Sequence, residues 1–341
     1  MTPDLSVIIP VFNRGDLIRH TLASVTAASV GLHVETIIVD DGSAPPIAAS
    51  LNRLRFTPAK LIRQENRGLL FARLAGLAAA TGRHVLFLDS DDLVSPEKFR
   101  LQLEALDATE SDISYTDTAR CVLTDSGPTE LTPDTPALLS TDSVAFNITV
   151  QPAPHSPIFR RTYLDAVVAH AFFPPSPLYN PVAEIWFYHN AAPRPAGVIK
   201  IPGPHTIVGA HPGVRLTNHW EKLAAASLAV MEAFARRSPA NSPLALRARQ
   251  LVAEKAFVSW RRLPRDFSPE FCERQLSIWE HLHQAVDLRM LGGHYFQKLA
   301  RVLGPVAAAN TLRRFQNATY AKSRTLDDTA FANLLAALPP P

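Results

Sequence analysis

The sequence predicts an α/β fold in which a mostly parallel β-sheet carries helices on both faces. Two observations support this: short apolar runs rich in Val and Ile alternate with longer segments of helical period, and a polar cluster follows each apolar run. Strands buried on both faces are nearly continuous in apolar residues, whereas amphipathic helices show a wider spacing. Strands and helices in alternation imply right-handed crossovers and parallel pairing.

Residues 5–92 supply the strands and helices of this sheet. Strands are expected at Leu5 to Phe12, Val34 to Ser43, Ala59 to Gly68 and His84 to Asp92. Helices are expected at Leu17 to Val30, at Leu69 to Ala80 with Gly82 as a left-handed cap, and from Ser95-Pro96-Glu97 onward. Ligands of such sheets bind beyond the carboxyl ends of the strands, so the polar clusters there are expected to share one crevice.

Beyond these residues, the composition and the periodicity of the sequence change twice. A proline-rich connection covers Leu123 to Pro157, and strand material broken by turns follows at Ala196 to His211. From Asn218 onward the pattern is helical with polar joints. We therefore predict two units, an α/β ligand-binding domain over residues 1–216 and a helical C-terminal extension over residues 217–341.

Composition disfavours several classes of protein. The 341 residues include 34 Lys and Arg and 31 Asp and Glu, and a formal charge of +3 is too balanced for nucleic-acid binding by bulk electrostatics. Cys121 and Cys272 match no metal or redox spacing. No secretory pattern opens the chain, and no apolar run reaches the roughly 18 to 20 residues that span a bilayer. We expect a cytoplasmic protein whose partner is a small molecule or a glycan.

The run Asp89-Ser90-Asp91-Asp92 follows the fourth predicted strand and is the first candidate site. Mg²⁺ and Mn²⁺ favour carboxylates, phosphate oxygens and water, so an Asp-x-Asp here suits a cation that a diphosphate completes. Asp91 is the first choice of ligand. In an extended segment Asp89 points to the same side, whereas Asp92 points away and suits the cap of the next helix. Taken alone, the run is explained equally well as a helix start.

Further candidates lie at the second and third strand exits. Asp40 or Asp41 could accept the imide N–H of a uracil, and Gly42 permits a tight turn, although an ordinary Asp-Gly turn explains the same residues. Arg67 and Arg73 offer paired donors for phosphates, with a solvated surface position as the alternative for Arg67. Together these neighbours favour a ligand site at Asp89 to Asp92 over a mere helix start.

The strings SVIIPVFNR, IIVDDGS and NRGLLFARLAGLAAATGRHVLFLDSDD occur in an order and at spacings similar to those of family 2 glycosyltransferases. The resemblance covers residues 6–92 and fades toward about residue 215. It implies the GT-A fold, with a Rossmann-like sheet. It also implies an inverting transfer of a sugar, of hexosyltransferase type, from a nucleotide-diphosphate sugar with the help of Mn²⁺ or Mg²⁺.

The resemblance implies roles for individual residues. Asp41 would recognise the base, Arg73 would lie near the diphosphate, and Asp91 would hold the metal with Asp89 beside it. His211, in GAHPGVR, is similar to a late family His that approaches the metal or the diphosphate, with an ordinary loop position as the alternative. The positions assigned to the nucleotide-sugar are Pro10, Phe12, Asn13, Asp40, Asp41, Arg67, Arg73, Asp89 and Ser90.

The candidate catalytic base departs from the family pattern. Inverting members commonly use the Asp of a Glu-Asp pair that opens a helix near a Trp, whereas this chain reads Glu184-Ile185-Trp186. Glu184 could act from the neighbouring position, because a general base requires reach and a suitable pKa rather than one residue type. It could equally be a favourable charge in a first helical turn. Leu74 also departs from the family pattern, which often has Asn at this position. His155 is a candidate for lining the acceptor side, with a plain loop position as the alternative.

The expected activity is transfer from a nucleotide-sugar, UDP-sugar foremost, to a hydroxyl of a glycan or lipid-linked acceptor in polysaccharide biosynthesis. Ile185 suggests an alternative, a nucleotide-sugar-binding protein without turnover. A dinucleotide-dependent oxidoreductase is disfavoured because no Gly-x-Gly-x-x-Gly follows the first strand. The apolar and basic residues from Arg289 to Arg324 leave two interpretations open. One is contact with the inner face of an anionic membrane, and the other is packing on the catalytic domain or in a homodimer.

Overall fold

The computed structural model describes residues 2–212, 218–315 and 319–339. Its strands are β1 (Leu5–Val11), β2 (Val34–Asp41), β3 (Lys60–Gln64), β4 (His84–Phe87), β5 (Leu93–Val94), β6 (Ile113–Thr124), β7 (Gly127–Pro128), β8 (Thr132–Pro133), β9 (Ile158–Arg160) and β10 (Val198–Ala210). Its helices in the first half are α1 (Ile18–Ala28), α2 (Ile47–Leu54), α3 (Leu69–Ala79), α4 (Lys98–Thr109), α5 (Ser143–Ala145), α6 (Arg161–Ala169) and α7 (Ala183–Ala191). A π-helical segment covers Phe146–Val150 and a 3-10 helix covers Pro177–Val182.

The helical part that follows begins at α8 (Trp220–Arg237). It continues with α9 (Pro243–Arg262), α10 (Pro269–Leu282), α11 (Leu288–Leu291), α12 (His294–Leu303), α13 (Pro305–Arg313), α14 (Tyr320–Ser323) and α15 (Asp328–Ala336). None of the helices in the described ranges is long and apolar enough to cross a membrane. The predicted boundary between residues 216 and 217 falls in the stretch 213–217, outside the described residues, so the division into two units stays a prediction.

One mixed sheet runs in the order β3-β2-β1-β4-β9-β6-β10-β5, with β7 and β8 beside β6. β1 pairs in parallel with β2 and β4, β2 with β3, and β6 with β10. β5 and β9 pair antiparallel with their neighbours. The predicted mostly parallel α/β sheet is confirmed, and the carboxyl ends of β1, β2, β3 and β4 share one edge.

Apolar layers cover both faces of this sheet. Along β1, Val7 and Ile9 face the layer formed with α1, α2 and α4, while Ile8 faces the opposite layer, as the alternation of a strand requires. That second layer includes α3 and α7 and extends without a break to Phe257 and Phe296 in the C-terminal helices. The C-terminal helices therefore pack on the sheet domain through a shared core.

Gly82 differs from its prediction. α3 ends at Ala79 and the next residue, Ala80, is extended, so the helix has no left-handed cap at Gly82. A Cβ on Gly82 would lie 2.7 Å from the backbone nitrogen of Ser6, and the Gly82 N–H donates to Ser6 Oγ and Glu35 Oε1 at 2.9 Å each. Glycine is required here because the chain passes closely against β1.

Candidate active site

Asp40 closes the turn that follows β2. Its Oδ1 accepts the Ser43 N–H at 2.8 Å, and its Oδ2 accepts the Ile47 N–H at 3.1 Å and pairs with Arg63. Burial raises the pKa of this carboxyl, but the hydrogen bonds from Ser43 and Ile47 and the charge of Arg63 outweigh it and hold the pKa below its usual value. Asp40 is buried, and both of its carboxylate oxygens accept backbone N–H groups of the turn.

Asp41 joins the end of β2 to the loop after β3. Its Oδ1 accepts from Gln64 Nε2 at 2.7 Å and from the Arg67 N–H at 2.9 Å, and its Oδ2 accepts the Gly68 N–H at 2.8 Å. The guanidinium of Arg67 lies over the ring of Phe71, 4.8 Å from its centroid. The residue predicted to recognise the base is thus fixed by three N–H donors.

Gly68 brings a distant segment to the start of α3. It has a φ of +90°, and a Cβ there would lie 2.0 Å from the Asn180 side-chain nitrogen. Asn180 accepts the Leu70 N–H at 3.0 Å and donates to the Arg67 carbonyl at 3.0 Å. The segment that leads into α7 is therefore anchored at the exit of β3, a contact that the sequence did not reveal.

The exit of β1 joins this edge through Asn13. Asn13 has a left-handed φ of 53°, its N–H donates to Ser43 Oγ at 3.0 Å, and its Oδ1 accepts the Ala44 N–H at 2.8 Å. Phe12 beside it is 46% exposed, whereas Pro10 is buried in the strand. The predicted base and ribose residues are thus gathered at neighbouring strand ends.

The segment from Asp89 to Asp92 is a turn, so the expected extended geometry is wrong. The Asp92 N–H donates to the Asp89 carbonyl at 3.1 Å, and Ser90, which is buried, accepts from Thr21 Oγ1 through its carbonyl at 2.9 Å. Asp89 and Asp91 consequently meet different partners. Asp89 Oδ1 lies 2.7 Å from Arg73 Nη2, and Asp91 Oδ2 lies 2.9 Å from His211 Nε2.

Arg73 is fully buried and bridges two carboxylates. Nη2 binds Asp89 at 2.7 Å, and Nη1 lies 3.4 Å from Glu184 Oε2. Burial lowers the pKa of Arg73, but Asp89 and Glu184 raise it further, so it lies above its usual value. Both terminal nitrogens of Arg73 therefore contact carboxylates. Its contact with a diphosphate stays a prediction.

Glu184 lies in the first turn of α7, as expected from the sequence. Its side chain is 30% exposed, whereas the Arg73 side chain that it contacts is 1% exposed. Ile185, which stands where the family pattern has Asp, packs against the apolar core. Among these residues, Glu184 is the carboxylate that both contacts the cluster and reaches solvent from α7.

His211 follows β10 and contacts Asp91, and its role as a metal ligand stays a prediction. Its ring is buried, and Nε2 also lies 2.8 Å from Arg14 Nη1, which is 4.0 Å from Asp91 Oδ2. Arg14 follows Asn13 at the exit of β1, and sequence reasoning missed its contact with His211. The remainder of the segment GAHPGVR, from Gly213, lies outside the described residues.

Asp92 is not a helix cap, because α4 begins only at Lys98 and its first turn carries no side-chain cap. Its Oδ1 accepts the Gly209 N–H at 2.9 Å, and its Oδ2 lies 3.2 Å from His155 Nδ1. A Cβ on Gly209 would lie 2.2 Å from the Asp91 carbonyl oxygen. His155 is buried beneath the turn, and burial lowers its pKa to about 4.

Residues 6–163 match the family model described as glycosyl transferase family 2. This region belongs to that family. The succinoglycan biosynthesis protein ExoO of Rhizobium meliloti is 36% identical over 113 residues, which are 33% of this chain and 32% of ExoO. The minor teichoic acid biosynthesis protein GgaA of Bacillus subtilis is 37% identical over 97 residues, 26% of this chain and 22% of GgaA. The chain thus spans at most about a third of these two relatives.

Solved structures extend the likeness beyond the matched region. TarS of S. aureus, residues 1–349, superposes with a TM-score of 0.60 at 15% identity, over 95% of this chain and 93% of that one. Its complex with UDP-GlcNAc gives a TM-score of 0.61 at 15% identity over the same shares. The predicted GT-A fold is confirmed.

The matched region also holds a buried lysine that sequence reasoning missed. Lys98 Nζ donates to the Ser156 carbonyl at 2.9 Å and to Thr206 Oγ1 at 3.0 Å. Burial holds its pKa well below its usual value. A lysine at the start of a helix carries no sequence signal of such burial, so only the packing of β6 and β10 around it could have revealed it.

The donor set at Asp91 fits a divalent cation as a half-site. In the ranges that the structure covers, no group of three or more His, Cys, Asp and Glu side chains could hold a metal by itself. Asp91 and His211 offer one oxygen and one nitrogen donor, and Arg73 engages the Asp89 carboxylate instead. Mg²⁺ and Mn²⁺ commonly complete such partial sets with phosphate oxygens and water.

Proposed function

We propose that this chain is an inverting, metal-assisted glycosyltransferase of hexosyltransferase type that uses a nucleotide-diphosphate sugar, UDP-sugar foremost. The acceptor is a hydroxyl of a glycan or a lipid-linked glycan, and the enzyme works in the cytoplasm at the inner face of the membrane. The observation that carries the proposal is the Arg73 bridge, which unites the donor motif at Asp89 with the candidate base Glu184. Nucleic acid has no part in it.

The comparisons support the donor and the pathway class. Relatives of this domain are named for the biosynthesis of succinoglycan and of minor teichoic acid. TarS, which shares the fold, is described in complex with UDP-GlcNAc. By the same likeness we assign the donor to the edge formed by β1, β2 and β4.

The nucleoside binds between the β1 and β2 exits in this proposal. The exposed ring of Phe12, with Pro10 and Asn13, lines the base and ribose. An ionised carboxylate has about four acceptor positions, and Asp41 uses three for its N–H donors, so one remains for the imide N–H of uracil. Asp40 and Arg67 support this edge from the turn and from the loop after β3.

Asp91 and His211 hold the cation, and the Asp89-Ser90 backbone and the Asp89 carboxylate face the donor beside them. When bound, Mn²⁺ or Mg²⁺ supplies charge that stabilises the departing diphosphate. Arg14, within reach of both ligand side chains, adds a second positive charge on that side. Asp92 does not contact the donor, because its two carboxylate oxygens contact Gly209 and His155.

Glu184 accepts the proton of the acceptor hydroxyl as its oxygen attacks the anomeric carbon. Attack opposite the departing diphosphate in a single displacement inverts that carbon. Arg73 is a positioning residue, because its buried guanidinium fixes the Glu184 carboxylate relative to Asp89. The 30% exposure of Glu184 leaves its free oxygen open to an acceptor.

A second candidate is a nucleotide-sugar-binding protein without turnover. Ile185 favours it, since an apolar side chain packed on the core takes the place of the acidic residue usual in the family. The two candidates share the donor site and differ only in chemistry. Slow release of UDP from a UDP-sugar, with water as acceptor, distinguishes them.

A thermal-shift screen of UDP-, GDP- and TDP-sugars with and without Mn²⁺ tests the donor site. We expect a UDP-sugar to raise the melting temperature only when Mn²⁺ is present, and Asp91→Ala to lose that rise. Asp16→Ala is the matched control, because Asp16 is a fully exposed aspartate in the loop before α1. A rise that survives Asp91→Ala unchanged would overturn the assignment of the metal half-site.

A further inference from the structure

Positive charge is concentrated in one stretch of the C-terminal helices. From residue 288 to residue 326 the sequence contains no Asp or Glu, although the whole chain carries only +3. The rest of the chain is therefore net negative. The cations of the stretch are Arg289, Lys298, Arg301, Arg313, Arg314, Lys322 and Arg324.

Only part of this charge is neutralised within the fold. Arg289 pairs with Asp287, Arg324 pairs with Asp328, and Arg313 is buried over the ring of Trp260. The other four cations are exposed, and no ion pair joins them to a carboxylate in the parts of the chain that the structure describes. These four are Lys298, Arg301, Arg314 and Lys322.

Large apolar side chains stand exposed among these cations. α12 turns Phe296 and Ala300 into the core, while Tyr295 is 84% and Val302 is 81% exposed. Tyr295, Lys298 and Val302 are three and four residues apart and share one side of the helix. Phe315, next to Arg314 beyond α13, is 80% exposed. We call Tyr295, Lys298, Arg301, Val302, Arg314 and Phe315 the basic-apolar face.

We propose that the basic-apolar face binds the surface of an anionic lipid bilayer. Tyr and Phe are suited to the boundary between headgroups and acyl chains, and Lys and Arg beside them meet lipid phosphates. A soluble polyanion would engage the cations without using Tyr295, Val302 or Phe315. A second copy of this chain would bring like charges together, which opposes pairing through this face.

This inference deepens the proposed function, because it places the transferase where a lipid-linked acceptor would lie. It does not depend on turnover, since vesicle binding is measured without donor or acceptor. A failure of sugar transfer would leave the binding result standing. A failure of vesicle binding would leave the donor assignment at Asp91 standing.

The test is flotation of the full chain with vesicles of phosphatidylcholine and phosphatidylglycerol, against vesicles of phosphatidylcholine alone. We expect binding to the anionic vesicles, weakened roughly five-fold for each cation removed in Lys298→Gln/Arg301→Gln. Tyr295→Ser/Val302→Ser should weaken the binding that persists at high salt. Arg53→Gln/Arg100→Gln changes net charge equally at exposed helical positions outside the stretch and should bind as the parent does.

Three outcomes would overturn the proposal, once circular dichroism shows the variants folded. Equal binding to both kinds of vesicle, or no binding to either, removes the anionic bilayer. Binding to dextran sulfate as strong as to vesicles, and indifferent to Tyr295→Ser/Val302→Ser, identifies a soluble polyanion instead. A dimer in sedimentation velocity that this double variant dissociates, with vesicle binding unchanged, identifies an interface between copies.

Discussion

The carboxylates at two strand exits are held in opposite ways. After β2, Asp40 and Asp41 accept mostly backbone N–H groups from the following 27 residues, with Arg63 and Gln64 from the next strand. After β4, the acidic turn is held by Arg73 and by groups far along the chain. These distant groups are His155, Gly209 and His211, while Glu184 reaches the turn through Arg73.

Under the proposed function, this difference separates a preformed nucleotide edge from a catalytic half that later parts of the chain complete. Backbone donors are fixed by the turn itself, so the β2 exit needs no ligand to take its shape. On the β4 side, the side chains of Arg14 and Glu184 are partly exposed, at 24% and 30%. In the proposed function they exchange one charged partner for another when a cation and a diphosphate bind.

Glu184→Gln tests this difference between the two strand exits most strongly. If the β4 side carries the chemistry, loss of the base should lower the rate of transfer by about 10³-fold. Donor binding, held by the β1 and β2 exits, should stay unchanged. Turnover of a UDP-sugar and the thermal shift it produces measure the two effects separately.

Glu270→Gln is the matched control for that variant, because Glu270 also lies in a first helical turn, on α10. It removes the same favourable charge at a helix start and should keep full turnover. If Glu184→Gln also kept full turnover, Glu184 would be only such a charge. The base would then have to be sought elsewhere.

Much of the fold was predictable because it follows local rules. Val- and Ile-rich runs located β1, β2 and β4, and helical spacing located α1 and α3 within two residues at each end. The missed features depend on contact between distant segments. Gly82 looked like a helix cap, but its conformation is set by the close approach of β1, which no local pattern encodes.

The same distinction between local patterns and contacts of distant segments applies to the candidate site. Strand-exit spacing brought Asp40, Asp41 and the acidic turn to one edge. His211, which only the family resemblance suggested, contacts Asp91, and its role as a ligand stays a prediction. The rule for extended strands failed at Asp89 and Asp92, since the segment turns and each carboxylate finds its own partner. The burial of His155 and Lys98 was beyond sequence reasoning, because only the packed sheet defines it.

Asp40→Asn tests the β2 side through stability. The amide keeps one acceptor and turns an N–H₂ toward the Ser43 or Ile47 N–H and toward Arg63, so we expect the free energy of unfolding to fall by about 3 kcal/mol. Asp91→Asn, at a partly exposed ion pair, should cost less than about 1 kcal/mol. Urea midpoints give both values. Equal losses of unfolding free energy would mean that the contacts of the acidic turn after β4 stabilise the fold as strongly as those of the β2 exit.

His155→Gln tests whether burial or the nearby Asp92 carboxylate determines the pKa of His155, beneath the acidic turn after β4. Burial lowers the pKa of His155 to about 4 in the folded chain, against about 6.5 when unfolded, so the unfolded state binds more protons below about pH 6.5. The parent should therefore lose about 2 kcal/mol more stability than His155→Gln between about pH 7 and about pH 5. Urea unfolding at both pH values measures this, and His33→Gln, at an exposed position, should behave as the parent does. If the Asp92 carboxylate at 3.2 Å dominated instead, His155 would gain a proton on folding, and the variant would be the one that loses more on acidification.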